Sequence, residues 1–361
     1  MNDILPNPFR GQGLACHDAQ GKALWPASDA SAVAQLLSHC PAHGQTPLRD
    51  MAQLAKDIGI DALWVKDERG RMGLGSFKAL GAAFSIARAA MTALAHTATP
   101  TATDWASALK HRVFVTASAG NHGLSVAAGA HIFGAKAVIY LAETVPTAFA
   151  ERLNAKGAQV VRAGATYEDS MQAAADAATQ NGWTLLSDSS WPGYCDLPHQ
   201  VMEGYLQLAA EATTQVPTPP THILLQAGVG GLAAAVAAHA RAVWGDAPQI
   251  IVVEPEAAPA LLESIRAGEL VTTSGPVSAM GRLDCKTPSM IALAGLSRDA
   301  DIFMTISESE AASGVATLAK NGLTTTPSGG AGLAGLLTGR LSGFDATSRV
   351  MAILSEGAED A

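Results

Sequence analysis

From residue 113 onward, short apolar runs rich in β-branched residues alternate with longer stretches of helical periodicity. The runs lie at 113–116, 137–141, 159–162 and 184–186, and the first helical stretch opens at Asn121. Strand, helix and strand in repetition predict βαβ units and a parallel sheet. A second series at 222–225, 249–254 and 350–354 predicts another sheet. The expected class is α/β, with two open, twisted, mostly parallel sheets and flanking helices. Polar, proline-containing stretches at 97–104 and 187–198 mark the expected divisions. They assign a small domain to 91–187 and a large one to 1–90 together with 188–361.

One more helix is predicted to begin at the segment Gly75-Ser76-Phe77-Lys78-Ala79-Leu80-Gly81. Phe77, Leu80, Phe84, Ala87, Met91 and Leu94 recur at helical spacing and are expected to form one buried stripe. Lys78 stands beside that stripe in the first turn. Burial and the positive end of the helix dipole both disfavour an ammonium there. A neutral amine is what imine chemistry requires. Taken alone, Lys78 reads first as a solvated surface lysine, and only its context argues otherwise.

Charge and cysteine content narrow the function classes. A net charge of -9 and a sequence pI near 5.5 argue against a nucleic-acid partner, which needs a basic face. The four cysteines, Cys16, Cys40, Cys195 and Cys285, are too far apart for a zinc motif and read as reduced thiols of a cytoplasmic protein. No metal is expected. The start of the chain lacks the basic and apolar regions of a signal peptide, and no apolar run reaches the ~20 residues needed to span a bilayer.

Two loops carry further candidate chemistry. After the strand at 222–225 comes Gln226-Ala227-Gly228-Val229-Gly230-Gly231-Leu232, followed at once by an Ala-rich helix. Free N–H groups at a helix start suit a phosphate, although the same glycines also serve tight packing. A dinucleotide fold is the alternative, with Glu254 in the place of a ribose-binding acid, but the full G-x-G-x-x-G is absent. The other loop is Thr116-Ala117-Ser118-Ala119-Gly120-Asn121-His122-Gly123. Ser118, Ala119, Gly120 and His122 present amides and small groups to a substrate carboxylate. Asn121 either donates to a ring oxygen or caps its helix; His122 either packs or acts as a base.

The motifs Ser76-Phe77-Lys78, Ser118-Ala119-Gly120-Asn121-His122 and Gly228-Val229-Gly230-Gly231 together resemble those of the fold-type II pyridoxal-phosphate enzymes, which include serine and threonine dehydratases. Within that group, the chain is most similar to the diaminopropionate ammonia-lyases. Thr46-Pro47-Leu48, Val65-Lys66-Asp67-Glu68, Phe77-Lys78-Ala79-Leu80-Gly81, Trp191-Pro192-Gly193-Tyr194 and Leu283-Asp284-Cys285 carry that likeness. The resemblance implies pyridoxal 5'-phosphate in the cleft between two domains, bound as a Schiff base on Lys78. It implies that Gly228, Val229, Gly230 and Gly231 hold the phosphate, Asn121 contacts the ring, and Ser355 faces the pyridine nitrogen. A hydroxyl there does not enforce a pyridinium, which favours direct elimination. Asp188 matches the second acid of the ammonia-lyases. Two departures stand out: Ala119 replaces an aspartate of that pattern, and Thr326-Pro327 replaces a glutamate, so one acidic contact is expected to be missing.

The expected reaction is α,β-elimination on a small β-hydroxy or β-amino amino acid. Lys78 removes the α-proton, and Asp188 or the cofactor phosphate assists the leaving group. An aminoacrylate then hydrolyses to a 2-oxo acid and ammonia. The resemblance also implies a homodimer. A racemase on the same cofactor is the first alternative, and a non-catalytic pyridoxal-phosphate or nucleotide-binding protein is the second.

Overall fold

In the computed structural model, which describes all residues except 1, 2, 15, 19, 41, 119 and 359–361, eleven strands form two sheets. The strands are β1 (Ile4–Pro6), β2 (Leu48–Asp50), β3 (Ala62–Asp67), β4 (Val113–Ala117), β5 (Lys136–Leu141), β6 (Gln159–Arg162), β7 (Thr184–Leu185), β8 (His222–Gln226), β9 (Gln249–Pro255), β10 (Ile302–Ile306) and β11 (Arg349–Leu354). The larger sheet has the order β1-β10-β9-β8-β11-β3-β2, with parallel neighbours throughout except the antiparallel edges β1 and β2. The smaller sheet, β6-β5-β4-β7, is entirely parallel.

Why β11 is apolar from Val350 to Leu354 follows from its coverage. Along β11, Val350, Ala352 and Leu354 enter one core while Met351 and Ile353 enter the other. Helices cover both faces of a parallel sheet, so neither set of side chains meets water. On one face lie the helices Gly231–Trp244 and Met290–Asp299; on the other lies Ala331–Leu337. The first core extends without a break to Phe114, Ile139 and Leu141 of the smaller sheet, through the helices Lys78–Ala93 and Asn121–Ile132. Among the described residues, no helix is long and apolar enough to cross a membrane.

The predicted buried stripe on the helix Lys78–Ala93 is corrected at its far end. Phe77, Leu80, Phe84 and Ala87 are buried, but Met91 is 49% exposed and Leu94, the helix C-cap, is only half-buried. The helix start, in contrast, is fastened to the end of β11. Ser76 bridges to Glu356, Phe77 N donates to Ser355 O at 3.1 Å, and Gly357 N donates to Gly75 O at 3.0 Å. Lys78 is thereby set down beside Ser355.

Candidate active site

Lys78 opens its helix, and Phe77 and Tyr205 form a wall beside its side chain, with Nζ 5.3 and 5.9 Å from the two ring centroids. Those rings meet edge to face at 4.9 Å. The ammonium is ion-paired with Asp188, whose side chain is 17% exposed against 22% for Lys78. Burial opposes both charges, yet the mutual attraction outweighs it. The Lys78 amine is held above the ordinary lysine range, and the Asp188 carboxyl well below the ordinary carboxylate range. The neutral amine expected from burial and the helix dipole is therefore corrected: with Asp188 in contact, Lys78 rests as an ammonium.

Asp188 reaches this place on a segment tied to the smaller sheet at one end and to the start of the helix Met290–Asp299 at the other. Leu186 N donates to Val115 O at 2.8 Å, and Tyr194 Oη donates to Leu185 O at 2.7 Å and accepts from Ser187 N at 3.1 Å. Ser190 pairs with Ser289 at 2.7 Å, and Met290 N donates to Ser190 O at 3.1 Å. A carboxylate on a segment braced at both ends has little freedom to leave its lysine.

The glycine loop joins β8 to the helix Gly231–Trp244, and no side chain caps that helix. Its first-turn N–H groups and the helix dipole thus point at the loop. A Cβ on Gly228 would lie 3.0 Å from Cys285 Sγ and 3.1 Å from Arg282 O, and Gly230 has φ +96°, which favours glycine. This is a cradle that only a backbone without side chains forms, and it fits a phosphate group. Cys285 lines it, with burial pushing its thiol up to about 12. Glu254, the acid of the dinucleotide alternative, is fully buried instead and accepts from Leu261 N at 2.7 Å and Leu262 N at 2.8 Å. Burial raises its pKa to about 8, and it serves as a cap for the helix Ala260–Ala267.

On the opposite side, Ser118 Oγ accepts from Gly120 N at 3.2 Å and from Gly123 N at 3.0 Å, which folds the loop onto the start of the helix Asn121–Ile132. Asn121 does not cap that helix; its amide donates to Glu356 Oε2. His122 is buried, bonded through Nε2 to Leu186 O at 2.8 Å, and burial lowers its pKa. That bond ties the ring to the segment that carries Asp188. Ala119 lies outside the described residues.

Ser355 is buried at the end of β11, where its N donates to Gly329 O at 3.2 Å. Next to it is a residue that the motifs did not single out. Glu356 accepts from Asn121 and Thr326 and is ion-paired with Arg282 Nε at 2.9 Å. At Thr326-Pro327 the threonine hydroxyl thus meets a carboxylate carried by the segment that follows β11. A cleft of about 580 Å³ opens here, lined by the turn at 73–75, Asn121, Arg282 and Glu356 among others. Both missed residues adjoin quoted motifs, Glu356 following Ser355 and Arg282 preceding Leu283. Adjacency to those motifs was the available signal.

A profile described as "Pyridoxal-phosphate dependent enzyme" matches residues 40–356. The diaminopropionate ammonia-lyase of Salmonella typhimurium is 33% identical over 290 residues, covering 76% of this chain and 72% of that one. The human L-serine dehydratase/L-threonine deaminase is 29% identical over 260 residues, 72% of this chain and 71% of that one. The crystal structure of the Escherichia coli diaminopropionate ammonia-lyase in complex with an aminoacrylate-PLP azomethine reaction intermediate superposes with a TM-score of 0.84 at 28% identity, covering 99% of this chain and 94% of that one.

Proposed function

The chain belongs to the family of pyridoxal-phosphate dependent enzymes, and from that membership we propose that it catalyses an α,β-elimination. A small amino acid with a β-hydroxyl or β-amino group loses that group and leaves as a 2-oxo acid and ammonia. The ion pair of Lys78 and Asp188 beside the glycine cradle is the observation that carries this reading. The ammonia-lyase and dehydratase relatives support it. In this reading Lys78 holds the cofactor aldehyde, Gly228, Val229, Gly230 and Gly231 the phosphate, Asn121 the ring oxygen and Ser355 the ring nitrogen. Pyridoxal phosphate, when bound, takes up the electron pair left on Cα as its proton departs.

The protein's own groups manage the protons. The backbone of Ser118, Ala119, Gly120 and His122 receives the substrate carboxylate and fixes the Cα–H bond toward Lys78. The Lys78 amine removes that proton. Contact with Asp188 then gives the proton a path to the carboxylate. While an ammonium touches Asp188, its carboxyl stays ionised; once that charge is gone, burial weighs more heavily and raises its affinity for a proton. Asp188 is thereby suited to protonate the departing β-group.

Asp188→Asn is expected to retain the bound cofactor and slow elimination by about 10²- to 10⁴-fold, the usual range for a lost general acid. Cofactor absorbance and release of 2-oxo acid, measured together, check this; undiminished release would return Asp188 to a purely structural role. The proposal extends to the division of 91–187 from 1–90 with 188–361, a cytoplasmic setting supported by four free thiols, and a homodimer read out by mass in solution.

A further inference from the structure

Among the described residues, the cleft beside Asn121 and Glu356 is lined by four cations, Arg69, Arg152, Lys156 and Arg282, against the carboxylate of Glu356. Arg69 is paired with Asp67 at 2.8 Å. Arg152 and Lys156 are exposed, and among the described residues no ion pair engages either. An entrance of this sign concentrates anions and repels a second ammonium.

Of the four, Arg282 is ion-paired with Glu356. Its backbone is fixed on the cofactor side of the cleft, where N donates to Ser328 Oγ at 3.1 Å and O lies 3.1 Å from the Cβ that Gly228 lacks. Its side chain crosses to the asparagine loop, bringing Nε 3.9 Å from the position of a Cβ on Gly120. The ion pair with Glu356 at 2.9 Å holds it in that crossing, and 27% of the side chain remains exposed to the cleft. A guanidinium so placed stands between the phosphate cradle and the loop assigned to the substrate carboxylate. Residue 119 in that loop is alanine, so the sequence puts no carboxylate there to meet a second amino group.

We propose that Arg282 is a specificity-determining residue that receives a second anionic group of the substrate, so that the amino acid consumed is acidic as well as β-substituted. The inference rests on the elimination reading and deepens it. Planar guanidinium recognises carboxylate and phosphate through the same paired donors, so the shared chemistry is an additional anion. It sits either on the β-carbon, as in β-hydroxyaspartate, or on the leaving group, as in O-phosphoserine. For the former, the Cα–H proton is removed and the Cβ–O bond breaks with its electron pair, the hydroxyl leaving as water. Hydrolysis then consumes one water and releases ammonia, leaving a 2-oxo dicarboxylate.

The test compares kcat/KM of the holoenzyme for β-hydroxyaspartate, O-phosphoserine, serine and 2,3-diaminopropionate, following 2-oxo acid. One acidic substrate is expected to exceed both others by more than about tenfold. Preference for β-hydroxyaspartate locates the anion on the carbon skeleton, and preference for O-phosphoserine on the leaving group. Arg282→Gln should cut that preference on the order of a hundredfold, with Arg282→Lys falling between. Calorimetric binding of succinate, which cannot react, should weaken in the same order. Elimination that favours serine or diaminopropionate, or a preference that Arg282→Gln leaves in place, overturns this inference while the elimination reading stands. Release of 2-oxo acid from none of the four overturns both.

Discussion

Lys78→Ala is expected to remove the visible absorbance of the bound cofactor and to reduce turnover by at least about 10⁴-fold, since anchor and α-proton base are lost together. The size of the effect follows from geometry. Lys78 is the first residue of its helix and is delivered to Ser355 by the bridge of Ser76 to Glu356. Its Nζ is in contact with Asp188. Lys78→Arg keeps a cation there but forms no imine, so it should fail equally. Absorbance spectra and single-turnover release of 2-oxo acid separate the two roles. Retention of both signals in Lys78→Ala would remove the lysine from the mechanism.

The second large effect is expected at Arg71, away from the chemistry. Arg71 is fully buried and bonds Glu68 at 2.7 Å, Glu211 at 2.7 and 2.9 Å, Thr46 Oγ1 at 2.9 Å and Gly44 O at 2.9 Å. Lys66, also fully buried, pairs with Glu211 at 2.7 Å, so two cations face two carboxylates out of water. Burial pulls the Lys66 amine down, whereas Arg71 and Lys66 outweigh burial at Glu211 and lower its carboxyl to about 2. Replacing Arg71 by methionine leaves Glu68 without its cation. Breaking such a buried pair costs about 3–5 kcal/mol. The same cluster holds the turn Glu68–Gly73, in which Met72 takes φ +50°, a conformation costing a side-chain-bearing residue ~1–2 kcal/mol. Arg71→Met should therefore lower the midpoint of urea unfolding and weaken cofactor retention in parallel, because that turn leads to Lys78. A loss below about 1 kcal/mol would mean that the cluster is relieved by water or by protonation.

These two residues also mark what a reader of the chain can and cannot see. The strands β4, β5, β8, β9 and β11 are legible because burial on both faces makes them continuous apolar runs flanked by helical periodicity. Strand β3 is not, because Lys66 and Asp67 interrupt it. Their charges are matched by Glu211, 145 positions away from Lys66, and by Arg69 and Arg49. The edge strands β1 and β2, three residues each, are too short to carry a period. Strand β10 does carry an apolar run, Ile302–Ile306, and was legible in principle but not among the expected strands.

The site divides in the same way. Lys78 and the glycine loop announce themselves through local patterns, a lysine at a helix start and glycines between strand and helix. Glu356, Thr326, Asn121 and Arg282 become one cluster only after the fold brings four distant segments together. No spacing along the chain encodes that meeting. The substitutions at 119 and 326 looked like losses in sequence, yet at Thr326 the hydroxyl meets the carboxylate of Glu356.

Product analysis tests the central claim most directly. The purified holoenzyme is incubated with each enantiomer of a β-substituted amino acid, and 2-oxo acid, ammonia and both enantiomers are quantified. Elimination predicts, as substrate disappears, one ammonia per 2-oxo acid from a β-hydroxy substrate and two from a β-amino substrate, with neither product formed by Lys78→Ala. Accumulation of the opposite enantiomer with its β-group intact, and no 2-oxo acid, would contradict it and assign Lys78 to a racemase instead.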